Sequence, residues 1–244
     1  MMKGIDISDG SGVNFVALKN AGYDFVIARA GWGSAKTDRQ IDRDFHNNVM
    51  GAIAAGLHIG AYWFIYARSV PEAQENAMRF AETLEPYKGL LDMPVYIDYE
   101  YDSTRYYNEQ TENTETKDFV TTAISVAAAQ MEHFGYFTGV YLNPDYIKNH
   151  VFFDDLTHFS LWLAEWKSPE TKPSYDCAMW QYAGDSELPG IASGAVDLNT
   201  CYKDFPKIIK DAGMNGFHKT NSPVYSIYGK PIQIFENGTW RFAE

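Results

Sequence analysis

Cysteine is scarce here: 244 residues hold two, Cys177 and Cys201, both in apolar strand-like runs. Buried free thiols are the expected state, and at most one disulfide can form. The six histidines are scattered, with no His-x-x-x-His and no Cys-x-x-Cys, which argues against a zinc site. Positive charge is also short. Twenty Lys and Arg face 32 Asp and Glu, a net charge of −12 that argues against binding to nucleic acid or to anionic lipid. No apolar run is long enough to span a membrane. The first residues, MMKGIDISDG, carry a Lys but no apolar segment, so they do not read as a secretory signal. The expectation is a chain that works in the cytosol or reaches the outside by another route. Common catalytic signatures are missing too. There is no Gly-x-Ser-x-Gly elbow and no ordered Cys/His dyad, and GWGSAKT (31–37) lacks phosphate-loop spacing and reads as a loop after a strand. Asn237-Gly238-Thr239 has the form of a glycosylation sequon and reads as a hairpin turn.

What is present is a rhythm. Strand-like runs at 3–8, 23–30, 57–67, 93–100 and 137–143 alternate with helical patterns at 12–22, 42–56, 69–87, 114–135 and 144–151. Ser69 is placed to cap its helix, with Pro71 just inside the first turn. Three more strands, 159–166, 177–183 and 194–202, follow without long helices between them, and 202–213 closes the series as a helix. Five β/α units and three further strands predict a parallel α/β sheet, and eight strands suffice to close a small barrel. A doubly wound open sheet is the alternative. Residues 217–244 change character: PIQIFENGTWRFAE reads as a hairpin, through Asn237-Gly238.

One strand is chemically odd. MPVYIDYEYD (93–102) starts apolar and ends with Asp98, Glu100 and Asp102. In a strand, residues i and i+2 share a face, their Cα atoms about 6.5–7 Å apart. Asp98 and Glu100 therefore project together above Tyr96, while Val95, Ile97 and Tyr99 turn toward the helices. A lone acid at a strand end ordinarily caps a helix or bonds a loop, and that reading suits Asp6 or Asp197 taken singly. Two adjacent acids in an apolar strand repel, and their crowding raises one pKa, the usual way to obtain an acid and an anion from one group type. Asp102 shares their parity but is expected in a loop beyond the strand. A barrel would gather Asp6, Asp98, Glu100 and Asp197 at one mouth, at the strand ends where such folds keep their chemistry. Tyr62 and Phe64, Trp166, Gln181 or Tyr182, and the Tyr-rich run 101–107 are candidates to line a groove there. Core packing is the competing reading for each. The chain is 16% aromatic with 17 Tyr, and such rings serve cores and sugar clefts alike.

GIDIS, FVIARAGWG, GAYWFIYA, PVYIDYE, GVYLN, LWLAEW, MWQYA and VDLN occur in this order between residue 3 and about 205. Together they resemble glycoside hydrolase family 25, the Chalaropsis-type lysozymes of phage endolysins and bacterial autolysins. After DIS, members commonly place an aromatic or His and then Gln or Asn before Gly; this chain has Asp9-Gly10-Ser11-Gly12. The resemblance implies a (β/α)5(β)3 TIM-like barrel over residues 1–212, with 213–244 as linker and β-hairpin extension, either a packed tail or part of a wall-binding module. It implies hydrolysis of the β-1,4 bond between N-acetylmuramic acid and N-acetylglucosamine in peptidoglycan, with no cofactor and no metal. Glu100 matches the general acid, Asp98 its partner carboxylate, Asp6 and Asp197 the other cleft acids, and Tyr62 a site tyrosine. The expected partner is the glycan strand of the bacterial wall, outside the cell, met by a monomer or weak oligomer; release through a holin would suit a phage lysin. Two further readings stay open: a non-catalytic glycan-binding protein on the same barrel, and a hydrolase of another N-acetylated polymer such as chitin. Carboxylate spacing separates retaining pairs, about 5–5.5 Å apart, from inverting pairs, about 6.5–9.5 Å apart.

Overall fold

The computed structural model describes residues 1–34 and 40–217 in full, together with the backbone of three short strands between 225 and 242. Eight strands close into one barrel in chain order: β1 (Met2–Ile7), β2 (Phe25–Trp32), β3 (His58–Phe64), β4 (Val95–Asp98), β5 (Thr138–Leu142), β6 (Ser160–Ala164), β7 (Met179–Ser186) and β8 (Val196–Cys201). The helices are α1 (Phe15–Asn20), α2 (Phe45–Ala54), α3 (Val70–Leu84), α4 (Tyr101–Thr111), α5 (Lys117–His133) and α6 (Phe205–Ala212). Closure decides between the barrel and the open sheet. Strands β1 to β7 are parallel, but β8 pairs antiparallel with both β7 and β1. The short 187–195 connection explains this, because a parallel return needs a crossover of a dozen or more residues. The reversal matters for chemistry: Asp197 reaches the mouth from the start of its strand, not the end, and lies directly opposite Asp6 in the β1–β8 register.

Strand alternation sorts the core into two layers. Inside the barrel lie Phe25, Ile27, Met93, Tyr96, Tyr141, Trp162, Met179 and Cys201. Between barrel and helices lie Ile5, Val26, Ile59, Trp63, Val95, Ile97, Tyr99 and the apolar faces of α2, α3 and α5. Glycine makes the narrow floor possible: a Cβ on Gly4 would sit 2.5 Å from the Phe25 ring, and one on Gly139 2.4 Å from Tyr96. Cys177 and Cys201 are both buried and free. Ser69 caps α3 as anticipated, its side chain accepting from Glu72 N–H at 3.4 Å.

Two local expectations are corrected. Strand β4 stops at Asp98 rather than at residue 100, and 101–107 is the start of α4, not a loop. Asp102 accordingly sits in the first turn of α4, exposed and paired with Arg105 at 3.0 Å. The 144–151 segment forms a π-helical turn, Tyr146–His150, in place of a regular helix. Beyond residue 217, β9 (Tyr225–Ile227), β10 (Lys230–Ile234) and β11 (Trp240–Phe242) form an antiparallel sheet in the order β11-β10-β9. The β10–β11 pair occupies the span of the anticipated hairpin; its Asn237-Gly238 turn lies outside the described residues.

Candidate active site

Strand β4 delivers Asp98 to the barrel mouth, 4% exposed, and the chain then runs extended through Tyr99 to Glu100, the N-cap of α4. Because the backbone is extended at Glu100, the strand parity persists past the strand, and the Asp98 and Glu100 carboxyl groups lie near enough for each to shift the other's proton affinity. Glu100 N–H donates to Ser103 Oγ at 3.2 Å, which fixes the turn. The carboxyl oxygen Asp98 Oδ1 is buried with no hydrogen-bond partner among the described residues. That is a costly arrangement, of the kind that functional sites retain.

The second acid pair is built across β1 and β8. Asn199 Nδ2 donates to Asp6 Oδ2 at 2.6 Å, and Gln181 Nε2 bridges the pair, 3.0 Å from Asp6 Oδ2 and 3.2 Å from Asp197 Oδ2. Both amides are oriented by donors on their oxygen side. Trp162 Nε1 donates to Asn199 Oδ1 at 2.8 Å; Tyr141 OH and Trp166 Nε1 donate to Gln181 Oε1 at 3.1 and 3.0 Å. Asp197 Oδ1 accepts from Asp185 N–H at 2.8 Å.

Burial governs the electrostatics. Burial first, then the neighbouring Asp197 charge, raises Asp6 to about 8. Burial raises Glu100 to about 7, against the lowering effect of the neighbouring Asp98 side chain. Asp98 is raised well above the carboxylate range, by burial and then by Glu100 and Asp6. Asp197 is raised as well, chiefly by burial. At neutral pH the quartet therefore holds protons that isolated carboxylates would release.

The predicted lining residues divide. Tyr62 faces the lumen, its ring edge-on to Trp162 at 6.0 Å, and Phe64 is the cross-strand partner of Asp98. Trp166, 62% exposed, stands at the rim over Gly184, where a Cβ would meet its ring at 2.1 Å. Gln181 is central. Tyr182 does not join them. It follows Gln181 on the strand, so alternation turns it outward, where it packs beside Trp180 at 5.7 Å. Three residues of the site went unmarked by the sequence: Arg29, Tyr141 and Asn199. Parity was the available signal for the last two, since Tyr141 lies two residues after the lumenal Gly139 and Asn199 two after Asp197. Arg29 ties the mouth to the unusual Asp9-Gly10 turn, bonding Asp9 Oδ1 at 2.6 Å and Asp42 Oδ2 at 2.8 Å.

A further set of bonds braces Glu100 from both sides. Tyr99 OH and Thr104 Oγ1 donate to Glu115, at 2.8 and 2.6 Å, and Tyr101 OH donates to Asp145 at 2.9 Å. His150 lies between those acids, 3.6 Å from Glu115 and 3.2 Å from Asp145, and stacks on Tyr146 at 4.4 Å. Among the described residues no group of three or more His, Cys, Asp or Glu side chains is arranged to hold a metal ion, and no helix is long and apolar enough to cross a membrane.

A lumen of closed barrel strands with buried carboxyl groups at its mouth suits acid-assisted cleavage of a glycosidic bond. Comparisons with known proteins agree. The family described as glycosyl hydrolases family 25 matches residues 5–191. The CTP1L endolysin structure is 26% identical, with a TM-score of 0.70 over 86% of this chain and 70% of that one. A family 25 glycosyl hydrolase from Bacillus anthracis (24% identity, TM-score 0.66, 86% and 92% coverage) shares the fold. So does the bacterial lysozyme of Streptomyces coelicolor (22%, 0.66, 86% and 96%). None of the curated proteins compared with the chain matches it. With the family's match covering most of the barrel and eight strands closed as that fold requires, the chain belongs to glycosyl hydrolases family 25 and is a glycoside hydrolase.

Proposed function

We propose that the chain is an N-acetylmuramidase that hydrolyses the β-1,4 bond between N-acetylmuramic acid and N-acetylglucosamine in the peptidoglycan of the extracellular wall. The observation that carries this reading is the Asp98–Glu100 pair: two neighbouring carboxyls at the mouth, one buried and one at the head of a helix, with raised pKa values. Relatives named as an endolysin and a bacterial lysozyme support the substrate class.

Glu100 is the proton donor. Its pKa near 7 keeps it protonated at mildly acidic pH and about half protonated at neutral pH, and its side chain is the less buried of the pair. As the C1–oxygen bond breaks, the bonding electrons leave with the oxygen, which takes the Glu100 proton. Asp98 faces the positive centre or orients the 2-acetamido group, whose carbonyl oxygen attacks C1. Water then opens that ring with overall retention and returns a proton to Glu100. Asp6 and Asp197, pinned by Gln181, border the sugar on the opposite wall.

Glu100→Gln tests the assignment. The variant keeps the wild-type circular dichroism and loses most clearance of purified walls; near-wild-type clearance would sink it. Mass spectrometry of the wild-type digest tests the bond. New reducing-end muramic acid is the expected product. Release from chitin alone, or binding without release, would instead favour the other polymer or a non-catalytic role.

A further inference from the structure

Beside the acid quartet lies a second cleft of ≈ 560 Å³, lined among others by Trp32, Tyr66, Arg68, Glu72, Glu75 and Tyr106. That volume is typical of a small-ligand site. A chain of rings connects it to the mouth. Phe64, the cross-strand partner of Asp98, stacks on Tyr66 with centroids 5.1 Å apart, and Tyr66 meets Tyr106 of α4 at 5.2 Å. A second route runs along β2. The register shifts between Arg29 and Gly31, so Gly31 pairs with the outward-facing Trp63 and Trp32 with the lumen-facing Phe64. The irregularity re-aims Trp32 toward the cleft, a common use of bulges near active sites. The Arg29 guanidinium lies over the Trp32 ring at 5.1 Å.

The chemistry of the walls selects the ligand. Tyr66, Tyr106 and Trp32 are all half-buried, each keeping part of its surface open. Arg68, the one cation among the described lining residues, is already bonded twice to Glu72, at 2.9 and 3.0 Å. With Glu75 alongside, the cleft repels phosphates and carboxylates. A neutral ring that offers C–H groups on one face and hydroxyl or amide groups at its edge meets both requirements.

We infer that this cleft is a remote glycan subsite, in which Tyr66 and Tyr106 carry an uncharged N-acetylglucosamine ring of the same strand whose reacting bond lies at Glu100. The inference rests on the muramidase reading. It makes cleavage dependent on strand length, because only a strand that extends past Phe64 reaches Tyr106.

The test compares wild type, Tyr106→Ala and Tyr106→Phe on peptide-free glycan strands from amidase-treated walls, long strands against the shortest that are cut. Tyr106→Ala raises KM for long strands roughly tenfold, equivalent to about 1.4 kcal/mol. It leaves kcat for long strands and all rates on short strands at wild-type values, and Tyr106→Phe restores the long-strand KM. Equal loss on both lengths, no loss on either, or an effect seen only when peptide stems are present overturns the subsite. Failure of wild type to cut any strand refutes the muramidase reading instead.

Discussion

Replacing Asp6 with asparagine removes one titrating group and leaves its neighbours satisfied, because an amide oxygen can accept the same bonds from Gln181 and Asn199. The neutral amide mimics the protonated acid. In the wild type, burial and Asp197 raise Asp6 from 3.8 to about 8. A folded-state pKa above the unfolded one means that stability is fully present below about pH 4 and is lost as pH rises through about 8. The shift is 8 − 3.8, or 4.2 units, and at 1.36 kcal/mol per unit it amounts to roughly 6 kcal/mol. About 1.6 kcal/mol of this is already lost by about pH 5, so a ceiling of about 4 kcal/mol falls between about pH 5 and pH 9. Asp6 shares its proton economy with Asp197, and we expect about half that ceiling, about 2 kcal/mol. The assay is urea unfolding of both proteins at the two pH values, with a common slope within each pH. Relative to wild type, Asp6→Asn should gain about 2 kcal/mol of stability between about pH 5 and about pH 9. A stability difference that is the same at both pH values would refute the claim that Asp6 is held protonated by its surroundings.

Other expectations follow from the same geometry. Lytic rate should fall on the alkaline side through about 7, where Glu100 loses the proton it donates, and an alkaline limb near the ordinary carboxylate range would contradict the burial that raises it. Glu115→Ala strands the Tyr99 hydroxyl and leaves Thr104 only its bond with Tyr146; it should cost about 2 kcal/mol in urea unfolding and lower kcat more than it changes KM, with partial recovery in Glu115→Gln. Trp166→Ala removes an exposed rim ring and a donor to Gln181, so KM for walls should rise several-fold while melting temperature stays within a few degrees; an unchanged KM would exclude it from substrate contact.

The order of strands and helices, the layering of the barrel wall and the identity of the acid quartet were legible in the residues themselves, because strand alternation and helical periodicity are local properties. Asp98 above Tyr96, with Val95 and Ile97 turned outward, follows from a period of two alone. Helix α4 was not legible: Tyr101–Thr111 is polar, buries only Ser103, and has no apolar stripe, so tertiary placement makes it a helix. Tyr182 was offered with Gln181 because sequence does not say which parity faces the lumen near a strand irregularity, and the fold turned it outward. The direction of β8 was equally hidden. Only barrel closure sets Asp197 opposite Asp6, and only that proximity, with Gln181 across both, makes two ordinary-looking acids a coupled pair. Arg29 became part of the site the same way, through contacts with residues twenty and thirteen positions away on separate segments. Residue types and their alternation thus specify which groups can do the chemistry. Proton affinity depends on burial and on neighbours brought from distant strands, and those exist only once the barrel has closed.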